Sequence, residues 1–308
     1  MKKWGAILIK QITKKILGKL LNRYERNFEL QMLANGKILS NQIKGFKSVT
    51  SLEQVEFSIF SQFGDDGIIQ WLIHNIDIES KTFIEFGVED YSESNTRFLM
   101  MNDNWSGFVM DGSVGNIENL QQESYYWRHD LRSEAVFITK DNINTIISDQ
   151  KITGDLGLLH IDLDGNDYFI WEAINVVNPV IVIIEYNSIF GCEREISIPY
   201  RDDFIRSKAH YSNLFFGSSI KSLYELSKRK GYSFIGCNSA GNNAYFVRND
   251  KVGEAIKPVK LEDGYVKSKY RESRSIDGSL SLLSKGDSIE LLKGLKVYNT
   301  KSQKMERL

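Results

Sequence analysis

The acids of this 308-residue chain gather where short apolar runs end. TFIEF (82–86) runs into Gly87, Glu89 and Asp90, and GLLHI (157–161) into Asp162, Asp164, Asn166 and Asp167. VIVII (180–184) stops in the same way, at Glu185, Tyr186 and Asn187. A continuous apolar run reads as a buried parallel strand, and an open α/β sheet binds its ligand at the carboxyl ends of such strands. Asp162, Asp164 and Glu185 are therefore the candidate catalytic group. Crowded carboxylates raise one another's pKa, so one of them can serve as the base that removes a proton from a hydroxyl. Asp162, Glu185 and Asn187 would alternatively offer oxygen ligands to a divalent cation such as Mg2+ or Mn2+. Asp167 has a plainer use, as the cap of the helix DYFIWEAI (167–174).

The loop after 82–86 decides which ligand suits this edge. It holds one glycine, Gly87, so the Gly-x-Gly-x-x-Gly dinucleotide fingerprint is missing. A phosphate-cradling loop offers amides and lysines, whereas Glu85, Glu89, Asp90 and Glu93 would repel a pyrophosphate. A cationic ligand suits them better. S-adenosylmethionine, with a sulfonium, an ammonium and no phosphate, is the expected cofactor. Glu85 and Gly87 would flank its methionine portion, with Glu89, Asn95 and Thr96 in the same loop. Asp111, after GFVM (107–110), would take the ribose hydroxyls, with Gly112 and Ser113 beside it. Asp141, after AVFIT (135–139), stands where the adenine edge is read, and Asp162 would reach the cofactor from the fourth strand. Gln62, Gly64 and Asp66, in QFGDDG (62–67), would close over the methionine end. The plainer alternatives are a solvated acidic loop and helix caps at Asp66, Asp111 and Asp141.

The elements that must position these residues alternate. Strand-like runs at 82–86, 107–110, 135–139, 157–161 and 180–184 are separated by helical patterns at 94–102, 115–127, 142–149 and 167–175. That alternation predicts parallel strands with right-handed crossovers. A long polar segment (188–217) precedes the helix SSIKSLYELSKRKG, with Gly231 as its C-cap, and YSFIGC and NAYFVR then form an antiparallel hairpin. The predicted fold is α/β, the Rossmann-like seven-stranded sheet of class I methyltransferases. It would comprise a helical N-terminal segment (1–50), a central domain (51–250) and a C-terminal extension packed on it (251–308).

Net charge is −1, so no general polyanion-binding surface is implied and no nucleic-acid partner is expected. Cys192 and Cys237 form neither a disulfide framework nor a zinc spacing, so a reducing, cytoplasmic setting is expected. Residues 1–23 carry Lys2, Lys3, Lys10, Lys14, Lys15, Lys19 and Arg23 with no acid. Apolar residues on one half of that helical wheel, with Trp4, predict peripheral contact with an anionic inner-membrane surface or docking on a partner. Packing on its own domain is the alternative.

HIDLDGNDYFIWEAI (160–174) resembles the Ile-Asp-Val-Glu-Gly-Ala-Glu signature of FkbM-type methyltransferases, with Asp162, Asp164 and Gly165 in matching places. VIIEYN (182–187) resembles that family's fifth strand. SQFGDDG (61–67), EFGVEDYSESNT (85–96), GNNAYFVR (241–248) and the tail 270–299 are similar to a bacterial branch in which they recur together, so the resemblance spans roughly 55–300. It implies S-adenosylmethionine as methyl donor and O-methylation of a sugar, a polysaccharide precursor or a related hydroxyl compound. Two departures stand out. Glu89 and Asp90 replace the family's usual alanine and asparagine, and Asp167 is one carbon shorter than the family's last acid. The spacing is also similar to metal-dependent catechol-type O-methyltransferases, but their catalytic lysine falls on Gly165, so any base must come from elsewhere.

Beyond these motifs, His129 and His210 are further candidate bases. Trp127, Tyr200, Tyr211 and Phe215 could wall a sugar ring, and Arg271 and Arg274 could hold an anionic acceptor. Two other functions compete: a non-catalytic scaffold of the same fold in a polysaccharide pathway, and a nucleotide-dependent sugar-modifying enzyme.

Overall fold

The computed structural model describes residues 2–308, and side chains for all of these except 2–17, 19–22, 25 and 285. Among the described residues there are ten strands: β1 Thr82–Phe86, β2 Ser106–Asp111, β3 Leu131–Ala135, β4 Gly154–Ile161, β5 Val177–Glu185, β6 Ile196–Ser197, β7 Tyr232–Cys237, β8 Asn243–Arg248, β9 Lys296–Asn299 and β10 Lys304–Arg307. Seven form one sheet in the order β3-β2-β1-β4-β5-β8-β7. The first five pair in parallel, and β8 runs antiparallel to both β5 and β7. This is the predicted class I methyltransferase sheet. Successive strands move outward from β1 through β2 to β3, then restart beside β1 with β4, so the topological switch lies between β1 and β4.

Period-two alternation explains why these runs become central strands. Phe86, Phe108, Met110, Leu159 and Phe246 pack to one face with Ile147 and Trp171. Phe83, Val109, Leu158, Ile181 and Tyr245 pack to the other with Trp71 and Leu72. Helices cover both faces, so the central strands carry apolar side chains on both. The helix Ile220–Lys230 ends at Gly231, whose φ of 82° lets its N–H reach back to the carbonyls of Ser227 and Lys228.

The third strand departs from expectation. It is Leu131–Ala135, paired with Gly107–Asp111, rather than 135–139. β3 is an edge strand with one neighbour and only Leu131 fully buried, so it needs no apolar run. The apolar run belongs to its exit loop, where Phe137 is 48% exposed and Ile138 is buried.

The polar segment after β5 and the C-terminal residues build a second, antiparallel sheet, β10-β9-β6, absent from the sequence reading. It has its own apolar cluster, in which Phe190, Ile196 and Phe215 meet Leu292 and Val297.

A helix runs from Lys2 to Ile43. The side chains that would form the basic amphipathic face of 1–23 lie almost wholly outside the described residues. Its later turns dock on the domain: Ser40 Oγ donates to Gln70 Oε1 at 2.6 Å, and Glu29 pairs with Arg97 at 3.0 Å. Among the described residues no helix is long and apolar enough to cross a membrane.

Candidate functional site

A cleft of about 1220 Å³ opens at the carboxyl ends of β1, β2, β4 and β5. Glu85, on β1, forms part of its floor and is 2% exposed. Its Oε1 accepts from His160 Nδ1 at 2.9 Å and Asn95 N at 3.0 Å. Its Oε2 accepts from Ser94 Oγ at 2.7 Å, from Thr96 N at 3.3 Å and from the Thr96 hydroxyl. Burial pushes the Glu85 carboxyl up, but the hydrogen bond and charge of His160, with those of Thr96 and Ser94, outweigh it and hold Glu85 below its ordinary range. Burial likewise pulls His160 down while Glu85 raises it, with a net rise. Glu85 thus braces the 94–96 loop and His160 while lining the cleft, whereas Thr96 spends its amide and hydroxyl on Glu85 and Tyr91 and does not line it. Asn95 remains at the cleft.

Gly87 follows with φ of 70°, and a Cβ there would lie 1.7 Å from the carbonyl oxygen of Asp162. No other residue lets the ends of β1 and β4 approach this closely. Glu89, Tyr91 and Asp164 are non-glycine residues at φ of 47°, 64° and 53°, clustered around this switch point. Strained backbone of this kind gathers at functional sites.

Asp111 stands at the rim, with Gly112 and Asn116. Its Oδ2 accepts from Glu89 N at 3.0 Å, and its Oδ1 from Ser113 N at 2.8 Å and Asn116 Nδ2 at 3.2 Å. It ties the β1 loop to the β2 loop while leaving one face toward the cleft. Burial first, then the charges of Asp111, Asp90 and Asp164, raise Glu89.

The β4 and β5 acids converge. One carboxylate oxygen each from Asp162, Asp164 and Glu185 lies within 4.8 Å of the others. Burial, then Asp164, pushes Asp162 up to about 7. Burial, then Asp162 and Asp164, likewise raises Glu185 well above its ordinary value, and its buried Oε2 has no hydrogen-bond partner among the described residues. Arg206 enters from the connection after β6: Nη1 pairs with Asp164, Nε donates to Asn213 O at 2.8 Å, and the guanidinium stacks 3.7 Å from the Phe216 ring centre. No motif marks Arg206. It is one of four cations in the polar connection 188–217, beside Arg194, Arg201 and Lys208, and nothing in its spacing sets it apart.

Several expected residues serve the scaffold instead. Asn187 donates to Leu214 O and Phe216 O at 2.9 and 3.0 Å and accepts from Ile189 N at 3.0 Å, so its side chain is engaged with backbone; the carboxylate that gathers with Asp162 and Glu185 is that of Asp164. Asp66 is buried and accepts from Ile59, Phe60 and Ser61 amides at 2.7, 2.7 and 2.9 Å, away from the cleft. Gly64 packs against Glu56, where a Cβ would come within 2.4 Å. Of that loop Gln62, Phe63 and Asp65 reach the cleft. Ser113 caps the helix Val114–Gln122, and Asp141 is exposed outside the cleft. Asp167 ties its own preceding turn, accepting from Leu163 N and Gly165 N at 2.7 and 2.9 Å. His129, His210, Trp127, Tyr200, Tyr211 and Phe215 do not line the cleft; Phe137, Phe204, Phe216 and Tyr270 form its aromatic walls.

No family model and no curated protein matches the chain. Solved structures do. An S-adenosylmethionine-dependent methyltransferase from Clostridium acetobutylicum is similar at 12% identity over 60% of this chain and 90% of its own, with a TM-score of 0.38. The CurJ carbon methyltransferase is similar at 8% identity over 64% of this chain and 56% of its own, TM-score 0.39. The N-terminal domain of EvdMO1, solved with S-adenosylhomocysteine bound, is similar at 10% identity over 54% and 72%, TM-score 0.36.

Proposed function

We propose that this chain is an S-adenosylmethionine-dependent O-methyltransferase of the FkbM type, acting on a hydroxyl of a sugar-like small molecule or glycan precursor. The observation that carries this reading is the acidic cleft at the β1/β4 switch point of a class I sheet. When bound, the cofactor supplies a methyl group activated on a sulfonium. Gly87, Asn95, Asp111 and Gly112 would hold it, with Glu89 and Asp162 supplying negative charge. The cleft's volume of about 1220 Å³ exceeds the ~300–1,000 Å³ of ordinary ligand pockets, which leaves room for an acceptor beside the cofactor.

Asp162 is the base in this scheme. Its proton affinity near neutrality suits removal of an acceptor proton. Glu185, raised by burial and by the neighbouring Asp162 and Asp164, would orient the acceptor oxygen through its unpaired Oε2. The donor set also fits a divalent cation, which Asp162, Asp164 and Glu185 would hold and which would acidify the acceptor hydroxyl. Arg206 already supplies Asp164 with a positive partner, so we favour the metal-free form. The basic segment 1–23 would add peripheral membrane contact.

Calorimetric titration with S-adenosylhomocysteine and with NAD tests the cofactor assignment. S-adenosylhomocysteine should bind and NAD should not; the reverse preference would sink the methyltransferase reading in favour of a nucleotide-dependent enzyme.

A further inference from the structure

The same cleft has a second, oppositely charged wall. Residues 265–274, YVKSKYRESR, contain Lys267, Lys269, Arg271 and Arg274 against a single acid, Glu272. All four cations line the cleft that holds Asp111, Asp162 and Glu185. Glu272 lies 3.7 Å from Arg274, whereas Lys267, Lys269 and Arg271 form no ion pair among the described residues.

This segment is held across the cleft rather than hanging free. Tyr265 donates to Ser188 O at 2.9 Å, Ser268 N donates to Ser188 Oγ at 3.1 Å, and the Tyr186 hydroxyl donates to Val266 O. Farther along, Tyr270 packs on Phe63 with ring centres 4.6 Å apart, and Arg274 N donates to Ser212 O at 3.1 Å. The segment therefore bridges the β5 exit, the loop before the helix Asp65–Asn75 and the segment after β6. Fixed at these points, the backbone presents Lys267, Lys269 and Arg271 to the cleft, and none of the three pairs with an acid among the described residues. Unpaired cations along one wall of a cleft make a field that favours an anion there.

We infer that this basic strap binds the phosphate of the acceptor, so that the substrate is a phosphorylated hydroxyl compound, either a sugar phosphate or a nucleoside diphosphate sugar. The inference rests on the methyltransferase reading for the word acceptor, but the anion site stands on its own residues. The cleft then sorts its two ligands by charge: the cationic cofactor to the sheet edge, the anionic acceptor to the strap. The phosphate contacts would position a hydroxyl near Asp162, and binding energy from a remote group is a common way to orient a reacting one.

The test is calorimetric titration of the full chain with inorganic pyrophosphate, UDP, glucose 1-phosphate and S-adenosylhomocysteine. Wild type is compared with the triple variant Lys267→Gln/Lys269→Gln/Arg271→Gln. Pyrophosphate should bind wild type, weaken with added salt, and lose at least about tenfold in affinity in the variant, as expected for lost charge-assisted bonds. S-adenosylhomocysteine should be unaffected. Tighter binding of UDP than of pyrophosphate assigns a nucleotide-linked acceptor; glucose 1-phosphate matching or exceeding UDP assigns a simple sugar phosphate. No pyrophosphate binding to wild type, or equal binding to both proteins, overturns the inference. An equal loss of S-adenosylhomocysteine also overturns it, because the strap would then serve the cofactor's own carboxylate. If pyrophosphate binding depends on the three cations while neither protein binds S-adenosylhomocysteine, the anion site stands and the methyltransferase reading falls.

Discussion

Glu85 on β1 and His160 on β4 are register partners that meet through Oε1 and Nδ1 at 2.9 Å, both buried beneath the switch-point cleft. The pair joins the two strands that diverge there. It also anchors the loop that carries Asn95 to the cleft.

The pair gives stability a predictable pH dependence. Glu85 is held below its ordinary value, so its contribution is present above about pH 4.5 and fades as pH falls through the lower folded value. His160 is raised, so its contribution is complete below about pH 6.5 and fades as pH rises through the higher folded value. Chemical denaturation across pH should show this bell-shaped component in wild type. It should vanish in Glu85→Gln/His160→Gln, while Glu85→Gln alone, leaving a buried partner unpaired, should cost roughly 3–5 kcal/mol. An identical pH profile in wild type and double variant would contradict the pairing.

Asp111 offers a test of cofactor placement. Hydrogen bonds to a charged group contribute about 1.5–3 kcal/mol. Asp111→Ala should weaken S-adenosylhomocysteine binding by roughly tenfold or more. Asp111 also holds the amides of Glu89 and Ser113, so circular dichroism must first show an intact fold. A well-folded variant with unchanged affinity would remove Asp111 from the ribose site.

How much of this was legible depended on how strictly the fold constrained each residue. β1, β4 and β5 were readable because both faces are buried, and burial forces unbroken apolar runs such as Ile181 to Ile184. β3 was not, because an edge strand carrying Arg132 and Glu134 leaves no such signature. The converging acids followed from strand order, since Asp162 and Glu185 leave adjacent strands. Arg206 lies 42 residues from its partner Asp164 in sequence and only the tertiary path brings them together. Asn187, Asp66 and Thr96 look like ligands in sequence, yet each satisfies local backbone or carboxylate groups, a competition that composition cannot reveal.

The base assignment predicts a pH–rate profile. Asp162 must be ionised to accept a proton, so methyl transfer should rise as pH passes through about 7. Asp162→Asn should lower kcat by about 10²–10⁴-fold. EDTA should leave wild-type activity unchanged in the metal-free form; loss with EDTA and recovery with Mg2+ or Mn2+ would assign the carboxylates to a cation instead. Full activity in Asp162→Asn would eliminate both.

Removal of residues 1–23 should abolish sedimentation with anionic liposomes and leave S-adenosylhomocysteine affinity intact, because the contacts of Glu29 and Ser40 with the domain remain. Undiminished sedimentation of the truncated chain would place any membrane contact elsewhere.

The most direct measurement is a crystal structure of the full chain with S-adenosylhomocysteine. The ribose should lie against Asp111 and the sulfur should face Asp162 and Glu185 at the β1/β4 switch point. A ligand bound elsewhere, or a cleft left empty at saturating S-adenosylhomocysteine, would contradict the central assignment.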